Sequence, residues 1–242
     1  MPELVVVVPT YNEATNLDSI IGRIRAAVPD ATVLVVDDAS PDGTGALADA
    51  WAARDDHVQC LHRAGKDGLG VAYRDGFQWA RNRGATWVAQ IDADGSHNPN
   101  DLVALCDIAR TTGAALVLGS RWVAGGAISG WSRIREAISR TGNSYSRMML
   151  KSQIHDLTAG FRVIRTDILR DIDIDRVASS GYCFQVEVAH RIESHGALIV
   201  EHPITFTERA SGVSKMHAGI VVEALLRVTV WGVQRWLNRR GN

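Results

Sequence analysis

Cysteine is scarce: Cys60, Cys106 and Cys183 are an odd number at wide spacing. That pattern predicts neither a disulfide framework nor a zinc cluster, and a reducing cytosol is the simplest setting for it. Excess charge is missing too. The formal net charge is −1, so nothing draws the whole chain towards nucleic acid, and any anion binding must come from local patches. No segment reaches the ~20 uninterrupted apolar residues that a membrane-spanning helix needs. The nearest, Ile220 to Leu237, is broken by Glu223, Arg227, Gln234 and Arg235. Such a helix is expected to lie on a membrane or to pack on its own domain. No basic region and long apolar segment precede the strand-like Leu4, so no secretory signal is expected. A G-x-G-x-x-G after the first strand is lacking, which argues against a dinucleotide-dependent dehydrogenase. Neither an RNP-like aromatic motif nor a KH-type loop is present, which argues against RNA as partner.

What is present suits one globular domain. The 242 residues are 46% hydrophobic and 22% charged, enough for a sizeable core. Leu4–Val8 is a continuous aliphatic run, as expected of a strand buried on both faces. Leu17, Ile20, Ile21, Ile24 and Val28 fall at helical spacing, with Thr15 and Asp18 placed like a capping box at the start. Strands are predicted at Thr32–Val36, Val58–Leu61 and Trp87–Ile91, with helices at about Thr44–Arg54 and Leu69–Asn82 between them. Alternating strands and helices imply an α/β fold with a mostly parallel, Rossmann-like sheet flanked by helices. The second half reads less regularly, with a basic helix around Ser132–Leu150, an apolar one near Phe184–Ile192, and the C-terminal amphipathic helix.

Ligands of such sheets bind beyond the carboxyl ends of the strands. Three ends carry polar signatures: Pro9-Thr10-Tyr11-Asn12-Glu13, Asp37-Asp38 and Asp92-Ala93-Asp94. Two carboxylates two residues apart at a strand end can approach one hard cation, Mg2+ or Mn2+, shared with substrate phosphates. An acidic, solvated turn is the alternative. Asp38 suits a ribose or base edge, Tyr11 a stacked base, and Glu13 a hydrogen-bond acceptor; each is otherwise an ordinary loop residue. Lys66-Asp67-Gly68-Leu69-Gly70 resembles a phosphate-approaching loop that opens a helix. From Arg121 to Lys151 the chain has Arg121, Arg133, Arg135, Arg140, Arg147 and Lys151 against the single acid Glu136. Arg135 and Ser139 are neighbours on one helix face and together suit a phosphate, unless this is only a solvated basic helix. Arg209–Lys215 reads as a mobile cationic lid or as a plain surface loop.

In order along the chain, PTYNE (9–13), VVDDASPDGT (35–44), GLG (68–70), IDADGSHNP (91–99) and GSRW (119–122) are followed by the Arg135/Ser139 pair. DLTAGFR (156–162), GYCFQVE (181–187) and RASGVSK (209–215) complete the series. This set resembles the family 2 glycosyltransferases, most closely the polyprenol (dolichyl) phosphate mannose synthases in their actinobacterial-like form without C-terminal transmembrane helices. The resemblance implies a GT-A fold, with residues 1–217 as catalytic domain (donor half to about 120, acceptor half from 121) and 218–242 as C-terminal helix. It implies that Pro9, Tyr11, Glu13, Val36 and Asp38 hold the nucleoside, and that Asp92, Ala93 and Asp94 serve the diphosphate. A metal would sit on Asp92, Asp94 and Ser96, although other members place glutamine at the last position. Arg121, Arg209 and Lys215 would bind donor phosphates, and Arg121, Arg135 and Ser139 the lipid phosphate. Catalysis would rest on Asp94, Arg121, Arg135, Ser139 and Arg209.

The implied enzyme is an inverting polyprenyl-phosphate β-D-mannosyltransferase using GDP-mannose. It would work at the cytoplasmic face of the membrane, touching it peripherally or through a separate anchoring protein. The same chemistry with a UDP-sugar, giving a glucosyl or N-acetylglucosaminyl lipid, is the alternative. A transferase acting on a soluble hydroxyl would want a dedicated base carboxylate, and a nucleotide sensor would bind without turnover. Asp156 is either such a base or, more simply, a residue that orients an arginine. Glu187 is either a partner of the acceptor arginines or a half-buried structural acid. Acidic and cationic side chains are expected to meet across a single cleft.

Overall fold

The computed structural model describes residues 3–177, 179, 181–208 and 218–238, with backbone alone at 182, 218–222 and 236–238. The chain opens with β1 (Leu4–Thr10), α1 (Ala14–Ala27), β2 (Thr32–Asp37), α2 (Thr44–Ala52), β3 (Val58–His62), α3 (Leu69–Asn82) and β4 (Trp87–Gln90). It continues with α4 (Asp101–Thr112), β5 (Leu116–Ser120), β6 (Ala127–Ser129), α5 (Arg133–Leu150) and β7 (Arg162–Arg165). The last elements are α6 (Thr166–Asp171), α7 (Gly181–Ser194), β8 (Ile199–Pro203), β9 (Thr205–Thr207) and α8 (Ala218–Asn238). The main sheet has the order β3-β2-β1-β4-β7-β5-β8. Only β7 runs antiparallel to its neighbours β4 and β5, so the sheet is mostly parallel, as the alternating pattern predicts.

β-branched repetition explains the centre of the sheet. Every residue from Leu4 to Val8 is buried, and the two-residue period deals them alternately to opposite faces. Val5 and Val7 join a core with Tyr73 and Phe77 of α3, Phe184 of α7 and Val228 of α8. Leu4, Val6 and Val8 join a second core with Leu17, Ile20 and Ile24 of α1 and Leu102 and Leu105 of α4. The result is three layers, helix–sheet–helix. Gly76 makes the first core this tight, because a Cβ there would lie 2.5 Å from Val7 Cγ1.

The capping box expected from Thr15 and Asp18 is not used. α1 begins at Ala14, whose amide donates to Asp42 Oδ2, while the Glu13 amide donates to Thr44 Oγ1. Asp18 instead accepts from Trp51 Nε1 at 2.6 Å. The cap comes from the loop before α2, a tertiary partner that local spacing does not reveal. Likewise β5, β7 and β8, which carry no alternation or turn signal as plain as those of the first half, supply the sheet's other side.

α8 packs on the domain. Val228 is 1% exposed, the Tyr145 and Thr229 hydroxyls meet at 2.6 Å, and Arg235 Nη1 donates to the Leu150 carbonyl. Arg235 is therefore spent on closing α5, not offered to headgroups, while Arg239 and Arg240 lie outside the described residues. Leu226, Val230 and Val233 remain exposed along the same helix. No described helix is long and apolar enough to cross a membrane.

Candidate functional site

The strand order changes direction at β1, which has β2 on one side and β4 on the other. β1 and β4 are adjacent and parallel, so their carboxyl ends lie side by side, where ligands of such sheets bind. Residues Thr10–Glu13 and Asp92–Asp94 lie at these ends.

On the β1–β2 side, Pro9 pairs with Val36 across the strands, and Asn12 and Ala39 take left-handed backbone with φ of 59° and 55°. Buried Asp37 braces these turns by accepting from Thr10 Oγ1 at 2.8 Å and from the Ser40 amide and hydroxyl. Asp38 is also buried, and its carboxylate is paired with the Arg63 guanidinium. Burial outweighs that attraction and raises the Asp38 pKa above its ordinary value. Lys66 Nζ lies 3.9 Å from the centre of the Tyr11 ring, a cation–π contact. Glu13 is half-buried and its carboxylate accepts from Asn16. A Cβ on Gly70 would lie 2.8 Å from the Ser179 carbonyl oxygen and 2.9 Å from the Phe184 ring, so that glycine lets α3 meet α7. Gly68, with φ of 97°, turns the chain into α3.

On the β4 side, Asp92 is half-buried and accepts from the Tyr73 hydroxyl at 3.2 Å. Asp94 is buried and accepts from the Ser96 amide at 3.0 Å, with Gly95 turning the chain at φ 76°. Ala93 is buried between them. Ser96 is buried too, its carbonyl taking the Thr207 amide. Gly160 faces Asp92, and a Cβ there would stand 3.6 Å from Oδ2, so the side chain's absence leaves the carboxylate approachable. Two carboxylates with oxygen atoms alone suit a hard divalent cation.

The cationic side is organised by one buried ion pair. Arg121, just after β5, sends Nε and Nη2 to Asp156 at 2.7 and 2.6 Å and its own amide to the same carboxylate at 3.0 Å. Asp156 is fully buried. The orienting reading therefore holds, and a buried carboxylate spent on three donors is poorly placed as a base. Thr158 and Asn143 extend the network, and Glu201 of β8 accepts the amides of His155 and Asp156. Arg135 lies 4.1 Å over the Trp131 ring and pairs with Glu208 at 2.9 Å. Glu187 meets Ser179 and Arg191, not the acceptor arginines, and is a structural acid. Arg209 and Lys215, with the rest of the 209–215 loop, lie outside the described residues.

Arg121, Arg135 and Ser139 line a cavity of about 100 Å³, partly open to solvent, together with Trp131, Asn143 and Thr158. Apolar side chains complete the lining: Ile138 of α5, Val186 of α7 and Ala224, Leu225 and Val228 of α8. Asp92 and Asp94 do not line this cavity. An aromatic chain joins the two regions: His97 stacks on Phe161 at 5.1 Å and meets Phe206 edge-on at 5.3 Å, and Phe206 meets Trp131 at 5.3 Å. Burial pushes the His97 pKa down to about 4, against the pull of Asp94. The aromatic chain and the apolar part of the cavity lining were not foreseen. Asn143, four residues after Ser139, was the sequence signal available for the cavity wall.

Residues 5–173 match the family described as "Glycosyl transferase family 2". The chain is 49% identical over 235 residues to a "Polyprenol monophosphomannose synthase" of Mycolicibacterium smegmatis, covering 97% of this chain and 88% of that protein. It is 52% identical over 231 residues to an "Undecaprenyl-phosphate mannosyltransferase" of Micrococcus luteus, covering 95% and 94%. Among solved structures, a mycobacterial protein is similar at TM-score 0.69 and 17% identity, over 95% of this chain and 75% of that one. A mannosyltransferase from Pyrobaculum calidifontis, solved with GDP-Man and Mn2+, is similar at TM-score 0.59 and 17% identity, over 98% and 64%. At such identities the structures speak for the fold, which is of the GT-A kind.

Two outcomes follow from the site's electrostatics. Removing one member of a buried ion pair strands the other, so Asp156→Ala should lower unfolding free energy by about 3–5 kcal/mol. Arg121→Met with Asp156→Leu should lose much less, as urea titration of both variants would show. His97 is held neutral when folded and takes a proton near pH 6.5 when unfolded. Stability should therefore fall as pH drops from about 6.5 to about 4, since the unfolded chain binds the extra proton. His97→Phe should flatten this slope in urea midpoints measured across that range.

Proposed function

This chain belongs to glycosyl transferase family 2, and we propose that it transfers mannose from GDP-mannose to a polyprenyl phosphate, releasing GDP. The observation that carries this reading is the cavity whose lining joins Arg121, Arg135 and Ser139 to apolar side chains of α5, α7 and α8. A phosphate on a long hydrocarbon tail has that same division of polar head and apolar body. Both relatives, at about half identity and nearly full coverage, are named for this chemistry, which favours it over a UDP-sugar reaction.

Asp38 and Tyr11 receive the nucleoside, with Pro9, Glu13 and Val36 shaping its pocket. Asp92 and Asp94, with Ser96 beside them, hold Mg2+ or Mn2+ against the diphosphate. Such an ion, when bound, offsets negative charge on the leaving GDP. Arg135 turns from exposed Glu208 to the acceptor phosphate, an exchange that costs little because solvent-exposed pairs are weak. Arg121, fixed by Asp156, brings its positive charge to the acceptor phosphate without moving. Arg209 and Lys215 belong to the donor-phosphate side. An acceptor oxygen, already anionic, attacks the anomeric carbon. The carbon–oxygen bond to GDP breaks as the new bond forms, inverting the configuration. No base has to remove a proton, in keeping with the commitment of Asp156 to Arg121.

Residues 1–217 serve as the catalytic domain and 218–242 as a C-terminal segment whose helix α8 also lines the cavity. Leu226, Val230 and Val233, exposed on α8, suit peripheral contact at the membrane's cytoplasmic face, where the lipid acceptor is met. A separate anchoring protein on that face would serve the same end.

Purified protein given labelled GDP-mannose, Mg2+ or Mn2+ and polyprenyl phosphate should form a mild-acid-labile mannolipid. Asp94→Ala should lower its formation roughly 100-fold or more, and turnover of UDP-glucose without mannose transfer would refute the donor. Ile138→Glu and Leu225→Glu, both at exposed positions, should raise KM for the lipid about tenfold or more while leaving KM for GDP-mannose unchanged. Vesicle flotation should be lost in the Leu226→Glu/Val230→Glu/Val233→Glu variant; equal flotation would remove membrane contact by α8.

A further inference from the structure

The outer edge of the sheet carries a group of side chains that glycosyl transfer does not use. Cys60 and His62 are two residues apart on edge strand β3, hence on the same face, and that face is covered by α2. Asp49 of α2 reaches them: His62 Nε2 and Asp49 Oδ1 are 2.8 Å apart, and Cys60 Sγ lies 4.0 Å from His62 Nδ1. One ligand atom from each of the three can be chosen so that all lie within 4.8 Å of one another. Gly45, one turn earlier on α2, keeps the approach open. A Cβ at that position would stand 3.1 Å from His62 Cε1 and 3.1 Å from Asp37 Oδ2.

From this geometry we propose that Asp49, Cys60 and His62 form a second cation site, selective for a borderline-soft divalent ion of the Zn2+ type. Thiolate, imidazole and carboxylate together match zinc and its surrogate cobalt, whereas magnesium and manganese prefer oxygen alone. Three protein ligands leave a fourth position to water. The site is separate from Asp92 and Asp94: β2 and β1 lie between β3 and β4, which puts roughly 14 Å of sheet between them. The chain thus sorts two classes of cation by donor atom.

Burial, and then the Asp49 and Asp37 carboxylates, push the Cys60 thiol up to about 12, so a cation must displace a tightly held proton to bind there. A bound cation takes the place of the thiol proton, which leaves to solvent. Binding clamps the edge strand to α2 next to Arg63, whose amide bonds the Asp37 carbonyl and whose side chain holds Asp38. The widely spaced cysteines hid this group, because it draws on one cysteine only and takes its other ligands from separate positions.

Metal-stripped protein titrated with Co2+ should develop the intense near-ultraviolet absorption of thiolate-to-cobalt charge transfer. Zn2+ should abolish the band by displacement, and a large excess of Mg2+ should not. Cys60→Ser should lose the band, His62→Gln should weaken Co2+ binding about tenfold or more, and Asp94→Asn should leave both intact. Zn2+ should raise the Tm of the wild type and not that of folded Cys60→Ser. No charge-transfer band with the wild type, or a band of equal strength in Cys60→Ser, would overturn the proposal. Circular dichroism confirms that each variant compared is folded.

Discussion

The acceptor half of the molecule depends on the buried contact between Arg121 and Asp156. One carboxylate takes a backbone amide and both arms of a guanidinium, fixing the end of β5 against the loop that precedes β7. Glu201 holds the same loop from β8, and Thr158 joins it to Asn143 on α5. Charges removed from water are costly unless paired and fully hydrogen-bonded, so the pair tolerates one arrangement of these four elements. That rigidity places the Arg121 charge in the lining of a partly apolar cavity.

The surrounding cations divide into fixed and exchangeable ones. Arg121 is buried and committed, whereas Arg135 with Glu208 and Arg140 with Glu136 are paired where water reaches them. Exposed pairs are worth roughly 0–1 kcal/mol, so an arriving phosphate competes with them on even terms. The basic excess between residues 121 and 151 is therefore partly a reserve: Arg121, Arg135 and Arg140 are paired to carboxylates, the last two until a stronger anion arrives. Trp131 and Trp122 lie under these guanidinium groups and hold their planes in place when the carboxylate partner changes.

Donor and acceptor regions are held in register by apolar contacts. Asp94 follows β4, His97 follows Asp94, and the His97 ring is clasped by Phe161 and Phe206. Phe206 touches Trp131 beside the arginines. A buried neutral imidazole here works as an aromatic spacer. The carboxylates adjoin the cationic cavity through this chain and do not line it, so the single cleft expected from the residues is not one shared cavity.

The first half of the fold was legible in the residues because its signals are local. Aliphatic runs of five, helical spacing in α1 and α3, and turn residues at strand ends each report on neighbours a few positions away. The carboxylate pair at Asp92 and Asp94 was legible for the same reason, and so was the amphipathic character of α8. Other features required the tertiary structure: Asp42 and Thr44 bonding the amides that open α1, Gly70 admitting α7 against α3, and Arg235 closing α5. So did β7 reversed within the sheet, Asp156 turned to Arg121, and α8 forming one wall of the cavity. Each of these joins groups far apart in sequence, in some cases more than a hundred residues, and periodicity carries no information about which distant partner will satisfy a buried donor or charge. The residues determined which groups need partners; only the packed chain decided who they are.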